Sequence, residues 1–340
     1  MNKKTLKIFI IIMIAIVSAS LMTGFYQEKA CALGKEINYK NYGVRYDNVG
    51  FTLTPIDKTK MEKKDVTAAL HLLDVVNKNL ANADYFAFCS TGYGTARSSL
   101  MSMSGSLDYG VIYIKDGKSM YYQSAADVVE FNSSAGSRLS NLTQGLLDRA
   151  ERKYSPDGKT FYVQKVKGNK AKIKVLNKYP FSDADYNVGE TQKLSLNEFK
   201  KQEYVAANVN ELTNMLFTKD TILDKSVAIN YSGGIYRLAF TVDLSNNTLR
   251  DKATKYARGM LRDLVESNDL EFNHFRVNLE VWDNGLVRKF TREESWKGTI
   301  NLPLNLKPEG ISKSSAAIWY NWNPADCKIK DNKIDLSWAK

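Results

Sequence analysis

Between Phe272 and Thr291 apolar and polar positions alternate. Phe275, Val277, Leu279 and Val281 are interleaved with Arg276, Asn278, Glu280 and Trp282, the period-two pattern of a strand with one buried face. Asp283-Asn284-Gly285 follows, and then Leu286 to Phe290. Asn-Gly predicts a hairpin, because a type I′ turn needs positive φ at both central residues. A two-residue loop pairs Glu280 with Lys289, Leu279 with Phe290 and Trp282 with Val287, three favourable cross-strand pairs. A three-residue loop pairs Val281 with Val287 instead. Two strands are marginal alone, so the hairpin predicts a larger sheet with an apolar face. The functional question is what covers that face.

Ahead of it, Asp65 predicts an N-cap for a helix running to about Leu80. Val66, Ala69, Leu70, Leu73, Val76 and Leu80 form its apolar stripe, with His71 near the rim. Strands are expected at Tyr85–Thr91 and Leu107–Lys115, the second turning at Asp116-Gly117 into Ser119–Gln123. The Gly-, Ser- and Met-rich stretch 92–105 reads as a long hairpin loop or a mobile mouth. Ser140 to Lys153 reads as a short amphipathic helix. Asp157-Gly158 opens a hairpin through Phe161–Lys165 and Lys172–Val175. Lys165, Lys167, Lys170, Lys172 and Lys174 along it read as a protected strand edge or as a surface for a polyanion.

Tyr179 to Lys193 reads as irregular. Ser195 and Glu198 then form a capping box, and a second helical piece follows at Glu211–Phe217. Val227–Tyr231 and Ile235–Leu244 flank Gly233-Gly234 as a further hairpin. A basic helix is expected over Leu249–Glu266, an exposed turn over Leu302–Pro308, and tail segments at Ala316–Trp322 and Ile329–Trp338.

The N-terminus carries a targeting pattern. Lys3, Lys4 and Lys7 precede a nearly unbroken apolar run from Ile8 to Phe25, and Ala30-Cys31-Ala32 offers a small-x-small cleavage site. The run also sits at the lower limit for spanning a bilayer. Residues 1–32 are therefore a signal peptide or an N-terminal membrane anchor. Residues 33–60 follow as a linker running into an edge strand at Phe51-Thr52-Leu53, and 61–340 as one sheet-plus-helices domain. Either form of leader places the rest of the chain outside the cytoplasm. Cys89 and Cys327 are then an even pair in an oxidising compartment, a candidate disulfide or two buried thiols.

At 340 residues with 44% hydrophobic content, the chain can bury a sizeable core. Its net charge of +11 favours anionic partners. Export argues against nucleic acid and for an anionic membrane surface or a wall polymer. Chemistry is sparse. His71 and His274 are the only histidines, and no metal-ligand spacing occurs. Asp183-Ala184-Asp185-Tyr186-Asn187-Val188-Gly189 begins like a calcium loop, but glycine stands at position seven and Leu194 where the bidentate glutamate belongs. Glu293-Glu294 reads as a solvated charged turn, against a glycosidase pair. Trp296, Trp319, Tyr320 and Trp322 read as core or cavity aromatics, or as a sugar platform. No catalytic, cofactor or metal residue is assigned, and a binding protein is expected in place of an enzyme.

The element order resembles the LolA-like family of bacterial lipoprotein carriers and their actinobacterial lipid-binding relatives. The resemblance lies in the helix Asp65–Leu80, the strand Tyr85–Thr91, the hairpin Val111–Gln123 and the hairpin Val277–Phe290. It implies an α+β fold: a curved antiparallel half-barrel sheet with helices packed on its concave side. Phe86, Phe88, Ile112, Ile114, Leu279 and Val281 are the expected apolar lining of a cavity for a lipid, a lipoprotein acyl chain or another amphiphile. The alternative is an extracytoplasmic wall- or polysaccharide-binding protein using basic and aromatic surface residues.

Overall fold

A computed structural model of the chain describes residues 45–97, 102–134, 149–167, 187–201, 217–245, 271–297, 309–319, 328–329, 334 and 336–339. Its strands are β1 Tyr85–Arg97, β2 Ser102–Asp116, β3 Ser119–Ser133, β4 Arg149–Ser155, β5 Thr160–Lys167 and β6 Asn187–Ser195, then β7 Ala228–Ser232, β8 Ile235–Thr241, β9 Glu271–Trp282, β10 Val287–Lys297 and β11 Glu309–Trp319. The helices among the described residues are α1 Lys58–Met61, α2 Val66–Asn82 and α3 Leu196–Lys201, with a 3-10 turn at Asp224–Ser226. All eleven strands form one antiparallel sheet in the order β6-β5-β4-β3-β2-β1-β11-β10-β9-β8-β7. Two meanders, β1 to β6 and β7 to β11, are thus joined along their first and last strands. Among the described residues no pairing closes the sheet into a barrel.

The β9–β10 hairpin combines both expected registers. Val281 pairs with Val287, a bulge follows at Arg288, and Glu280 then pairs with Lys289 and Leu279 with Phe290. Gly285 N–H donates to the Trp282 carbonyl at 2.8 Å and Trp282 N–H to the Leu286 carbonyl at 2.9 Å. Only Gly285 takes positive φ in this loop, +85°. The turn is therefore the three-residue type with glycine in the left-handed position, and Asn284 uses its amide otherwise, donating to the Tyr46 carbonyl at 2.7 Å. At Gly233-Gly234 both residues are at positive φ, the type I′ pattern that joins β7 to β8.

α2 begins as expected, the Asp65 carboxylate accepting from Ala68 N–H at 3.0 Å. Its buried stripe is wider than the spacing indicated, adding Ala68, Leu72, Val75 and Asn79. Together with Leu238, Phe240, Phe275, Val277, Leu279, Val281, Phe290, Tyr113 and Tyr122 these residues make the main core. A smaller cluster of Phe161, Val163 and Phe199 lies under α3. The capping box forms there: Ser195 N–H donates to Glu198 Oε2 at 2.7 Å, and Glu198 N–H to Ser195 Oγ at 3.3 Å.

Several expectations change. Arg149–Lys153 is strand, because pairing with β3 and β5 on both sides outweighs a helical spacing. Residues 187–193 are strand β6, not irregular. Most of 92–105 belongs to β1 and β2, where a loop was expected. β5 is an interior strand, with β6 outside it, so Lys165 and Lys167 do not mark an edge. Phe51–Leu53 forms no strand; the adjoining Thr54 N–H donates to Asn79 Oδ1 on α2. Glu293-Glu294 lies inside β10, with Glu294 buried. The expected elements at Lys172–Val175, 211–216 and Leu249–Glu266, the 302–308 turn and residues 1–44 fall outside the described residues.

Candidate ligand-binding face

The helices lie on one face of the sheet. Tyr122, Lys153 and Val163 are successive cross-strand neighbours; Tyr122 belongs to the core under α2 and Val163 to the cluster under α3. Met120 packs against both. Leu279 and Val281 of the expected lining are buried in the α2 core. Ile114 is also fully buried, but outside that core; its neighbour Tyr113 faces α2, and alternation turns Ile114 to the other side. Phe86 pairs with Tyr113, Phe88 with Val111, and Ala87 with Ile112. The side chains of Phe86, Phe88 and Ile112 fall outside the described residues, as do those of Trp296 and Trp319, together with Tyr320 and Trp322. Cys89 is placed as backbone between Gly110 and Ala317, whereas Cys327 is outside the description.

Charged groups stand on the helix-bearing face at two places. On β10, Arg292 Nη2 lies 3.1 Å from Glu294 Oε2, both side chains buried, with the guanidinium 5.2 Å from the Phe275 ring centroid. On β4, Lys153 Nζ lies 2.6 Å from Glu151 Oε1 and 4.7 Å from the Tyr122 ring centroid. Four strands separate the two pairs: β3, β2, β1 and β11. At about 4.8 Å per strand step, the pairs are roughly 24 Å apart across the sheet. Tyr113 sits between them on β2. Burial, followed by the nearby Asp84 charge, raises its phenol pKa to about 12, so it stays protonated at neutral pH.

The opposite face carries a polar row. Gln123, Arg152, Gln164 and Thr191 are aligned in register across β3 to β6. Arg152 Nε donates to Gln164 Oε1 at 2.6 Å, and Gln164 Nε2 donates to the Gly189 carbonyl at 3.1 Å. Trp338 closes over the row, its ring centroid 4.5 Å from the Arg152 guanidinium carbon and its carbonyl accepting from Thr191 Oγ1 at 3.0 Å. Neither this row nor the Lys153–Glu151 pair was visible from spacing, since the β4 residues read as helix, and the Arg292–Glu294 pair was missed because Glu293-Glu294 read as a solvated turn. The Pro156-Asp157-Gly158 turn directly after Ser155 was the available signal for a strand end.

His71 is structural in its surroundings. Its Nε2 accepts from Asp57 N–H at 2.9 Å, and desolvation followed by the Lys60 charge lowers its pKa from the ordinary imidazole value. His274 is exposed on β9 opposite Ser295. Asn187, Val188 and Gly189 of the calcium-like stretch lie in β6. Among the described residues no three His, Cys, Asp or Glu side chains gather as a metal set.

No family model matches the chain, and no curated protein matches it. Among solved structures, the chain is weakly similar to lipovitellin, described for its lipid–protein interactions. That likeness has a TM-score of 0.31 at 10% identity over 70% of this chain and 26% of the lipovitellin chain. A β-barrel-like protein of a domain of unknown function from Brucella abortus gives a TM-score of 0.19 at 8% identity, over 69% of this chain and 99% of that one. The chain thus spans about a quarter of the lipovitellin chain it resembles.

Proposed function

We propose that the chain is an exported binding protein that holds a lipid, a lipoprotein acyl chain or another amphiphile against the helix-bearing face of its sheet. The observation that carries this reading is a mismatch of area between the sheet and the helices among the described residues. Eleven strands at about 4.8 Å spacing make a face roughly 50 Å wide, whereas a helix with its side chains is about 10–12 Å across. α2 serves β8 to β10 and the near ends of β2 and β3, while α3 serves β5 and β6. Among the described residues no helix lies over the span of strands between them, and the cover we propose there is an acyl chain, which is apolar and needs no hydrogen-bond partners. A twisted antiparallel sheet coils naturally, so a half-barrel of the LolA-like carrier kind is the finer form of the proposal. The ion pairs Arg292–Glu294 and Lys153–Glu151 stand at the margins of that span, where a headgroup would need charge.

The basic leader pattern supports an extracytoplasmic location, and the chain's positive charge suits an anionic membrane surface. Binding, not turnover, is the proposed role. The test uses the delipidated full-length chain in mild detergent, titrated with a fluorescent fatty acid. Saturable uptake, with lipid carried in native mass spectrometry, is the expected result. Absence of both overturns the reading, and salt-sensitive retention on purified cell wall without uptake would replace it with the wall-polymer alternative.

A further inference from the structure

We infer that β7 is the edge by which two copies of this chain pair, antiparallel about a two-fold axis at Asn230, so that their sheets join. The described sheet ends at β6 on one side and at β7 on the other. An exposed strand edge is a template for pairing with another chain, and proteins blunt such edges with charge, proline or a bulge. β6 carries Glu190 and Lys193, and its pairing with β5 is broken by a register shift. β7, Ala228-Ile229-Asn230-Tyr231-Ser232, has no charged residue and no proline, and it pairs with β8 without a shift. Among the described residues the exposed large apolar side chains are Tyr231 and Leu223. Tyr231 lies within β7, and Leu223 stands just ahead of it, its N–H donating to the Thr241 carbonyl at the end of β8 at 3.0 Å.

Backbone alternation sets the register. Asp283 N–H donates to the Gly234 carbonyl at 2.9 Å, so Gly234 and Tyr236 direct their backbone groups to β9, and Ile235 and Arg237 direct theirs to β7. Their partners Ser232 and Asn230 therefore bond β8, which leaves the N–H and C=O groups of Ile229 and Tyr231 directed outward. With Asn230 opposite Asn230 of a second copy, Ile229 of each copy falls opposite Tyr231 of the other. Those are the residues with free backbone groups, so each pair exchanges both of its N–H···O bonds. The side chains agree with this register. Ile229 and Tyr231 stand opposite Leu238 and Tyr236 of the main core, and Ile229 packs against it. Both therefore lie on the helix-bearing face, where an apolar Ile–Tyr pair forms on each side of the axis. The same patch meets itself, so the contact closes at two copies. A neutral residue at the axis is a requirement, since a charge there would meet its own copy. The pairing does not depend on the proposed ligand.

Sedimentation velocity of the full-length chain in density-matched mild detergent, over a range of concentrations, tests the pairing. A monomer–dimer equilibrium is expected, and a weak one, because a single strand pair buries little area. Asn230→Lys sets like charges against each other at the axis and should raise the dimer dissociation constant by about 10-fold or more. Asn230→Asp should do the same. Asn230 is exposed, so neither change disturbs the interior. Mixing the two variants should restore the dimer, because lysine then faces aspartate, and a misfolded variant could not give that recovery. A parent chain that stays monomeric at every concentration overturns the inference, as does a dimer that neither substitution weakens. Two weakened variants whose mixture remains monomeric overturn the pairing about Asn230.

Discussion

Asn79 and Gly285 hold α2 to the β9–β10 turn at a distance no larger residue pair would allow. Asn79 Nδ2 donates to the Gly285 carbonyl at 3.1 Å, and a Cβ at position 285 would stand 2.5 Å from that same nitrogen. The same amide also bonds Thr54 twice, accepting from its N–H at 2.7 Å and donating to its carbonyl at 3.3 Å. One buried side chain thus ties together the N-terminal segment, the helix and the hairpin.

Asn79→Ala should therefore cost about 2–4 kcal/mol, since it strips partners from buried backbone groups as well as removing hydrogen bonds. Gly285→Ala should cost about 1–2 kcal/mol from its left-handed backbone alone, with the steric clash adding to it. Urea unfolding followed by tryptophan fluorescence measures both. A loss under about 0.5 kcal/mol for Asn79→Ala would remove the clamp from this account.

Leu279 is nearly solvent-free inside the α2 core. Truncation to alanine should lower the unfolding free energy by about 2–5 kcal/mol, as for other buried leucines. A loss below about 1 kcal/mol would indicate that the side chain faces open or ligand-filled space instead of α2.

The Arg292–Glu294 pair lends itself to a double-mutant comparison. Glu294→Gln leaves a buried guanidinium without its carboxylate and should cost about 3–5 kcal/mol. Replacing both residues together, Arg292→Met with Glu294→Leu, should be milder than the single change, because no buried charge then remains. Additive losses in the double variant would contradict the assignment of these residues as a coupled pair.

His71 gives a pH signature. Its neutral Nε2 accepts the Asp57 N–H, and its folded-state pKa lies below the unfolded value of 6.5. The unfolded chain thus binds the proton more readily than the folded one, and stability rises with pH between the two values. The contribution is fully present above about pH 6.5 and lost as pH falls through the folded pKa. NMR titration should place the His71 midpoint below 6.5, and His71→Gln should flatten the stability profile between about pH 5 and 7. A midpoint above the ordinary value would reverse the sign and refute the assignment.

Local chemistry carried much of the fold. α2 and its Asp65 cap, the Ser195–Glu198 box, the β7–β8 and β9–β10 hairpins and the Asp116-Gly117 turn all depend on residues within a few positions of one another, and their patterns are readable in a single chain. Errors gathered where long-range pairing decides. Arg149–Lys153 carries too much charge to look like an interior strand, and it becomes one only because β3 and β5 supply ladders on either side.

The register of β9 on β10 shows the same division inside one hairpin. Asn-Gly announced a turn, but both two- and three-residue loops were compatible with the side-chain pattern. Contact with α2 selects the three-residue form, since Gly285 must approach Asn79 and Val75 closely, and the bulge at Arg288 then restores the pairing of Leu279 with Phe290.

By itself the amino-acid order determined that this chain makes amphipathic hairpins with one apolar side and a capped helix to cover part of it. Only the tertiary structure decided that β1 meets β11 to join two meanders into one sheet, that Lys153 and Arg292 share a face, and that Trp338 returns to cover Arg152. Those contacts link positions far apart in the chain. Their free energy comes from burial and pairing that exist only once the strands are assembled, so no short stretch of residues carries their signature.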